Sequence, residues 1–451
     1  MIVVKFGGTS VGDAESIERA AAIVRTKLPH KPVVVVSALG GATNALLAIA
    51  EQATRGQLIG ALRGVETLRE RHLRETDTLL GEGDAADEVK AEISATIDEL
   101  ASLAEALFTL GHLTPRSLDA IASKGEEMSS TIIVAAFCQR GLPVEHVDAR
   151  MVMITDDDFG RAAPRTDAIA KQARACIQPI VRAGRVPLLG GYIGATEQGI
   201  TTTLGRGGSD YSAALLGAAL SAKAIEIWTD VDGMLTADPR VVDGAQLIEE
   251  IRFDEAAELA SFGAKVLHPS TIAPAVQRGI PVFIYNSRNP GGKGTRITAS
   301  GPPRAVTAIA GKSGIAIIKV RSSRMLLAFG FLRTLFEVFE RHKTSVDVVA
   351  TSEVSVSLTV DDPSGLDSLL VDLRVLGDVS VERNRAIVAV VGASLGARSD
   401  TMGRALRALG EIPVHMLSLS ATEINLTIIL DEERLAPAMR ALHAEFFGTP
   451  A

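Results

Sequence analysis

Through the first two thirds of the chain, short runs of β-branched and apolar residues alternate with longer stretches of helical periodicity, and this order restricts the fold more than any other feature. The runs Ile2 to Phe6, Val33 to Ser37, Val144 to Asp148, Val186 to Gly190 and Ala224 to Thr229 predict strands. Between them, Ala14 to Leu28, Ala42 to Arg55, Gly125 to Gln139, Asp167 to Ala183 and Tyr211 to Leu220 predict helices, and Leu58 to Leu110 is long enough for several. Strand and helix in alternation predict an α/β fold, a mainly parallel sheet sandwiched by helices. In such a sheet, ligands bind beyond the carboxyl ends of the strands.

The segment NPGGKGTRITASGPPR, from Asn289 to Arg304, is rich in Gly, Pro and Ser and predicts a domain boundary. Beyond it the elements shorten to strand (Ile315 to Val320), helix (Phe331 to Arg341), strand (Ser345 to Ala350), strand (Val354 to Val360), helix (Gly365 to Leu376) and strand (Val379 to Arg383). That is the β-α-β-β-α-β order of a ferredoxin-like α+β unit. A second set follows from Ala386. SVDVVATSEVSVSLTV from Ser345 lies over PVHMLSLSATEINLTI from Pro413 without a gap, so Ser352 falls on Ser420, Val356 on Ile424 and Leu358 on Leu426. This is an internal repeat. The expected domains are 1–300, 305–384 and 385–451.

Composition excludes several classes. A formal net charge of −8 offers no basic field for nucleic acid or an anionic membrane, so neither is an expected partner. Cys138 and Cys176 are too few for a disulfide framework or a zinc site and fit a reducing compartment. The start, Met1-Ile2-Val3-Val4-Lys5, carries no signal-peptide pattern, and no apolar run reaches the length of a membrane span. A cytoplasmic protein is expected.

Four stretches carry chemistry. Lys5-Phe6-Gly7-Gly8 ends a predicted strand with a lysine before two glycines. Adjacent glycines let backbone N–H groups close around phosphate oxygens, and Lys5 would neutralise a transferring phosphoryl group. The lysine precedes the glycines, so this is no Walker A loop, and a strand followed by Gly-Gly also makes an ordinary turn. Ser37-Ala38-Leu39-Gly40-Gly41-Ala42-Thr43-Asn44 repeats the arrangement after the next strand. Ser123-Lys124-Gly125-Glu126 opens a helix; Glu126 either caps it or receives a substrate ammonium. Most specific is TTTLGRGGSD, Thr201 to Asp210, where Arg206 can take a carboxylate through two N–H bonds and Asp210 can hold a lysine or ammonium. Near Trp228, Asp230 and Asp232 do not make an EF-hand, and turn formation accounts for them.

These residues, with VVVSALGGATN, SKGEEMSS, WTDVDGMLTADPR and FGAKVLHP, resemble aspartate kinase of the amino-acid-kinase superfamily, and the C-terminal pair resembles its two ACT regulatory domains. The resemblance spans nearly the whole chain in the family's order. It implies ATP-dependent phosphorylation of the L-aspartate side chain to 4-phospho-L-aspartate, the entry to lysine, threonine and methionine. Lys5 and Asp210 take the catalytic positions, and Thr43, Glu126, Arg206, Gly207, Gly208 and Ser209 the aspartate site. Lys5, Gly7, Gly8, Thr229, Asp230, Leu235, Arg240 and Lys265 fall on ATP positions, with Leu235 where the family often carries an aromatic residue. Mg²⁺ would ride on the ATP phosphates, with no resident metal. Attack by a carboxylate already ionised at neutral pH needs no strong base.

The resemblance also implies feedback inhibition by L-lysine at the first ACT unit and a homo-oligomer, a dimer or higher, assembled through the ACT domains. An amino-acid effector needs backbone amides for its carboxylate and an acid for an ammonium. Ser345, Val346 and Asp347 with Thr351, Ser352 and Glu353 offer both, beside Met325, Gly330 and Phe331. At the repeat position His415 lacks the fixed charge of Asp347. A kinase of another acidic amino acid would share the Lys5 loop. A dehydrogenase would need G-x-G-x-x-G, which Gly7-Gly8-x-x-x-Gly12 does not supply. A non-catalytic amino-acid sensor would keep the repeats and lose the kinase residues, and none is lost.

Overall fold

The computed structural model describes residues 1–205, 207–262, 267, 269–302, 304–326, 329–361, 365–397 and 399–448. Contacts divide the chain into two compact units, 1–234 with 266–301, and 235–265 with 302–451.

In the first unit, β1 (Ile2–Phe6), α1 (Ala14–Lys27), β2 (Pro32–Val36), α2 (Ala42–Thr54), α3 (Leu58–Leu80), α4 (Asp84–Leu110), α5 (Pro115–Ala122) and α6 (Lys124–Gln139) come first. Next are β3 (Val144–His146), β4 (Ile154–Thr155), α7 (Thr166–Cys176), α8 (Gln178–Arg182), β5 (Val186–Gly190), β6 (Ile193–Thr196), β7 (Thr201–Thr203), α9 (Gly208–Leu220) and β8 (Ile225–Thr229). The chain passes through β9 (Glu250–Arg252) and α10 (Phe253–Ser261) of the second unit and returns with α11 (Pro269–Gln277), β10 (Val282–Asn286) and β11 (Thr295–Thr298). The main sheet runs β3-β5-β2-β1-β8-β10-β11 within this unit, parallel except at β10–β11. Its central strands are predominantly apolar because both faces are covered, with Lys5 of β1 and Glu226 of β8 the charged exceptions. Ile2, Val4 and Phe6 enter a core shared with α1–α4 and α6; Val3 and Lys5 alternate to the opposite face, where α9 runs.

Two predicted helices divide. Leu58 to Leu110 breaks at Gly81 and Gly83, both at positive φ, and Asp167 to Ala183 breaks at Ile177, ahead of Pro179, which has no N–H to continue the helical ladder.

The second unit continues with β12 (Ala308–Arg321), α12 (Phe331–Arg341), β13 (Val349–Thr351), β14 (Ser355–Val360), α13 (Leu366–Arg374), β15 (Asp378–Val391), α14 (Ser399–Leu409), β16 (Met416–Leu419), β17 (Asn425–Asp431) and α15 (Leu435–Phe447). These ten elements build one six-stranded antiparallel sheet, β13-β14-β12-β15-β17-β16, with its four helices. β12 and β15 each run 14 residues. Ile309 of β12 packs with the second repeat's core, whereas Val379 and Val381 of β15 pack with the first. The two repeats therefore share their central strands, and the division expected at 384/385 falls inside β15. The gapless alignment also needs correction. The offset of 68 relates α12 to α14 and β13 to β16, but Val349 pairs with Leu358 while Leu417 pairs with Ile428, so β14 maps onto β17 with an offset of 70. Val356 thus corresponds to Leu426 and Leu358 to Ile428. The second hairpin has two more turn residues, with Glu423 at φ +58.

Candidate active site

Because β1, β2 and β5 are parallel, their C-terminal ends deliver three glycine-bearing loops to one edge of the sheet. After β1, Gly7 donates its N–H to the Trp228 carbonyl at 2.9 Å, and Ser10 Oγ reaches the same carbonyl at 3.2 Å. This stitches the loop to β8 and leaves Gly8 to face the cleft. The second loop lies directly against it. A Cβ on Gly8 would stand 3.1 Å from the Ala38 carbonyl oxygen, and one on Gly40 3.1 Å from that of Gly8. Only glycines let two backbones approach so closely. α2 then starts after Gly41 (φ +83) and α9 after Gly207 (φ +73).

The third loop, Gly190-Gly191, separates two predicted substrate residues. A Cβ on Gly190 would meet Glu126 Cβ at 3.1 Å, and one on Gly191 would meet Ser209 Cβ at 2.7 Å. Glu126 and Ser209 therefore flank the end of β5, and both line a cleft of about 640 Å³ together with Lys5, Gly8, Thr43, Gly207, Gly208 and Asp210.

Two charged features mark this cleft. Lys5, the one charged residue in the buried run of β1, pairs its Nζ with Asp210 Oδ1 at 2.7 Å, so the ammonium is held at the mouth of the glycine loops by the first turn of α9. Glu126 is 3% exposed, and its Oε2 has no hydrogen-bond partner among the described residues. Burial pushes its carboxyl up to about 8, against the opposing pull of the Ala38 amide and the Lys5 charge. A buried acceptor without a donor is costly unless something supplies one. Ser129 Oγ, bonded to the carbonyls of Ser37 and Glu126, holds the first turn of α6 against the second loop.

The other predicted residues within the described range are not among the residues lining this cleft. Thr229 and Asp230 leave β8 beside the Lys5 loop, and Thr229 Oγ donates to the Asp230 carboxylate at 3.2 Å. Leu235 and Arg240 belong to the second unit, where Leu235 bridges to Leu247 and the exposed Arg240 pairs with Asp238 at 2.6 Å. Arg206 and Lys265 lie outside the described residues. Of the predicted effector residues, Gly330 at φ +85 precedes α12, and Met325 and Phe331 pack on the first repeat's core with Val346. Asp347 pairs with Lys312 at 3.3 Å; Ser352 closes the β13–β14 turn onto Ser355; Ser345, Thr351 and Glu353 are exposed. Sequence reasoning missed Ser37, Asn44, Asp119 and Tyr192 as lining residues. The first two sat in a motif already singled out, whereas Asp119 and Tyr192 carried no local signal.

Residues 1–286 match the amino acid kinase family and residues 388–446 the ACT domain. The chain is 38% identical to lysine-sensitive aspartokinase 3 of Escherichia coli, over 99% of both chains, and 35% identical to the chloroplastic aspartokinase 3 of Arabidopsis thaliana, over 99% of this chain and 82% of the relative. Its structure is similar to that of E. coli aspartokinase III in complex with aspartate and ADP (R-state), with a TM-score of 0.86 at 37% identity, covering 99% of this chain and 100% of the other. The same enzyme in complex with lysine and aspartate (T-state) gives 0.84 at 37% identity, covering 99% of each. The chain belongs to the amino acid kinase family, and within it to the aspartokinases with C-terminal ACT domains. It is an enzyme and binds nucleotide. No helix among the described residues is long and apolar enough to cross a membrane.

Proposed function

We propose that this chain transfers the γ-phosphoryl group of Mg²⁺-bound ATP to the side-chain carboxylate of L-aspartate, giving 4-phospho-L-aspartate and ADP, and that L-lysine inhibits it. One observation supports this above the others: a buried carboxyl group, one of whose oxygens has no hydrogen-bond partner among the described residues, and a buried lysine share one cleft between glycine loops. Glu126 accepts the substrate ammonium, which supplies its missing donor. Arg206 takes the α-carboxylate, and Thr43 and Ser209 add hydroxyls beside it. The side-chain carboxylate, already an anion at neutral pH, attacks phosphorus without a general base, so positioning and charge neutralisation carry the catalysis.

Asp210 fixes the Lys5 ammonium where charge spreads over the phosphoryl oxygens. Gly8 and the second loop offer close backbone approach to the phosphates, and Gly7, Thr229, Asp230, Leu235, Arg240 and Lys265 complete the nucleotide side. Mg²⁺ supplies further positive charge when it arrives on ATP. The lysine sensitivity of the E. coli relative, and its lysine-bound structure, support lysine as the effector, and we place its site at the first ACT repeat. Exposed Val349 and Leu417 on the two edge strands of the ACT sheet fit pairing with a second copy. The unpaired Cys138 and Cys176 fit the cytoplasm.

A coupled ADP-release assay with aspartate, glutamate and acetylglutamate as acceptors tests the assignment. Turnover on aspartate well above the other two is expected; a clear preference for either of the others overturns it.

A further inference from the structure

Asp119 is 1% exposed on α5, and its carboxylate meets no cation among the described residues. Three donors satisfy it instead. Oδ2 accepts the N–H of Gly160 at 2.9 Å and that of Thr203 at 3.0 Å, and Oδ1 accepts Thr203 Oγ1 at 2.6 Å. Burial raises its carboxyl above the ordinary range, against the pull of these bonds. One side chain thus ties together a helix, the turn at Gly160 and the end of β7, segments 41 and 84 residues away in sequence.

Both directions from this tie lead into the cleft. Seven residues after Asp119, across the junction of α5 and α6, stands Glu126. Six residues after Thr203 stands Ser209, at the start of α9. Between them the chain is pinned again: Leu204 donates its N–H to the Tyr192 carbonyl at 2.9 Å, and a Cβ on Gly205 would stand 3.3 Å from the Gly160 carbonyl oxygen. Tyr192, itself at φ +66, donates its N–H to Ser212 Oγ of α9 at 3.0 Å. Asp119 also lines the cleft, but both of its oxygens already accept protein donors, which assigns it first to the tie.

We propose that Asp119 is a positioning residue that fixes the separation between the Glu126 side and the Gly207–Ser209 side of the cleft, and so sets the length of the acceptor amino acid. This rests on the aspartate-kinase reading above. With the two sides locked, an acceptor one methylene longer than aspartate puts its carboxylate out of register with Lys5; with the tie cut, the α5 and β7 ends shift and the longer acid is tolerated. A single methylene is worth about 10- to 200-fold in discrimination.

Asp119→Asn and Thr203→Val are compared with the parent enzyme for kinetics on aspartate, glutamate and ATP, with thermal melts alongside. Thr203→Val removes the Oγ1 bond to Asp119, and with it the Tyr192 side-chain contact to the same hydroxyl, but keeps the Thr203 N–H bond to Asp119. Tyr192→Phe removes the Tyr192 contact alone and should keep the parent ratio, which makes the pair decisive even where Asp119→Asn fails to fold. The expected result is a KM for aspartate raised about tenfold or more, a KM for ATP within about twofold, and a fall of about tenfold or more in the aspartate-to-glutamate ratio of kcat/KM. Thr203→Ser, which restores the hydroxyl, returns the ratio. Equal loss on both acceptors, or unchanged kinetics in the folded variants, overturns the proposal. A parent enzyme that does not use aspartate overturns the functional reading instead.

Discussion

Lys5 and Glu126 are both charged-type side chains placed in a buried setting, and the setting gives them opposite behaviour. Lys5 has its counter-ion in Asp210, 2.7 Å away, and Glu126 has no ion-pair partner among the described residues. Lys5→Ala is therefore expected to lower kcat by about 10²- to 10³-fold, the cost of one preorganised electrostatic donor. The double variant Lys5→Ala with Asp210→Asn leaves no stranded buried charge, so it should fold well and remain as slow, which separates loss of charge from loss of structure. Near-normal turnover in either would remove Lys5 from the mechanism. For Glu126 the folded value of about 8 lies above the ordinary 4.5, so the stability held by its protonated form is complete below about 4.5 and is lost as pH rises through about 8. The ligand-free enzyme should lose melting temperature across that window, and Glu126→Gln should flatten the loss. A substrate ammonium favours the ionised carboxylate, so the KM for aspartate should fall as pH climbs toward 8. Glu126→Gln should raise that KM about 10- to 100-fold, the equivalent of about 1.5–3 kcal/mol for a charge-assisted bond. A pH-independent KM in the parent enzyme would contradict this role.

At the scale of elements, most of the parallel strands were legible in the sequence because burial on both faces makes them mainly apolar, and the ends of β1, β2 and β5 because glycines follow within a few residues. Gly191 shows what those ends demand. Its Cβ would stand 2.7 Å from Ser209 Cβ and 2.8 Å from Ser209 Cα, so Gly191→Ala must displace the start of α9. A loss of about 1–3 kcal/mol in stability is expected, with a raised KM for aspartate. Gly41→Ala is the contrast: nothing lies within 4 Å, and only the φ of +83 resists it, at about 1–2 kcal/mol. Thermal melts and aspartate kinetics on the pair compare crowding with backbone strain; equal effects on KM would refute the distinction. Other elements were not legible. β4, β6 and β7 have two to four residues each, too short for a period to register, and none of the three was among the expected strands. The strand expected from Ser345 to Ala350 begins only at Val349, because the N–H of Val348 goes to Thr359 Oγ1 rather than to a strand carbonyl. Asp119 escaped for a different reason: its partners are far along the chain, and a single acid on a short helix announces nothing.

The whole second unit is an approximate duplication, and its function depends on where the copies differ. Lys312, Asp347 and Asp361 of the first repeat correspond to Glu382, His415 and Asp431 of the second, through the offsets of 70, 68 and 70 that relate β12 to β15, β13 to β16 and β14 to β17. In the second cluster the acids are already met: Arg385 pairs with Asp431 at 2.7 Å, His415 lies 3.0 Å from the same carboxylate, and Lys319 pairs with Glu382. In the first, among the described residues, one cation, Lys312, serves two carboxylates. Burial, reinforced by the neighbouring Asp361, raises Asp347 to about 6, while Asp361 is held below its ordinary value. At neutral pH both are ionised, and the cluster keeps one negative charge for an incoming ammonium. The prediction is that Asp347→Ala leaves uninhibited turnover nearly intact and raises the lysine needed for half-inhibition about tenfold or more, whereas His415→Ala leaves it within about twofold. Inhibition of the parent enzyme should also weaken as pH falls below about 6, because Asp347 then takes up a proton and loses the charge that holds the ammonium, and Asp347→Ala should abolish that dependence. Lysine inhibition unchanged in Asp347→Ala but lost in His415→Ala would place the effector at the second repeat, and no response of the parent enzyme to lysine would end the assignment.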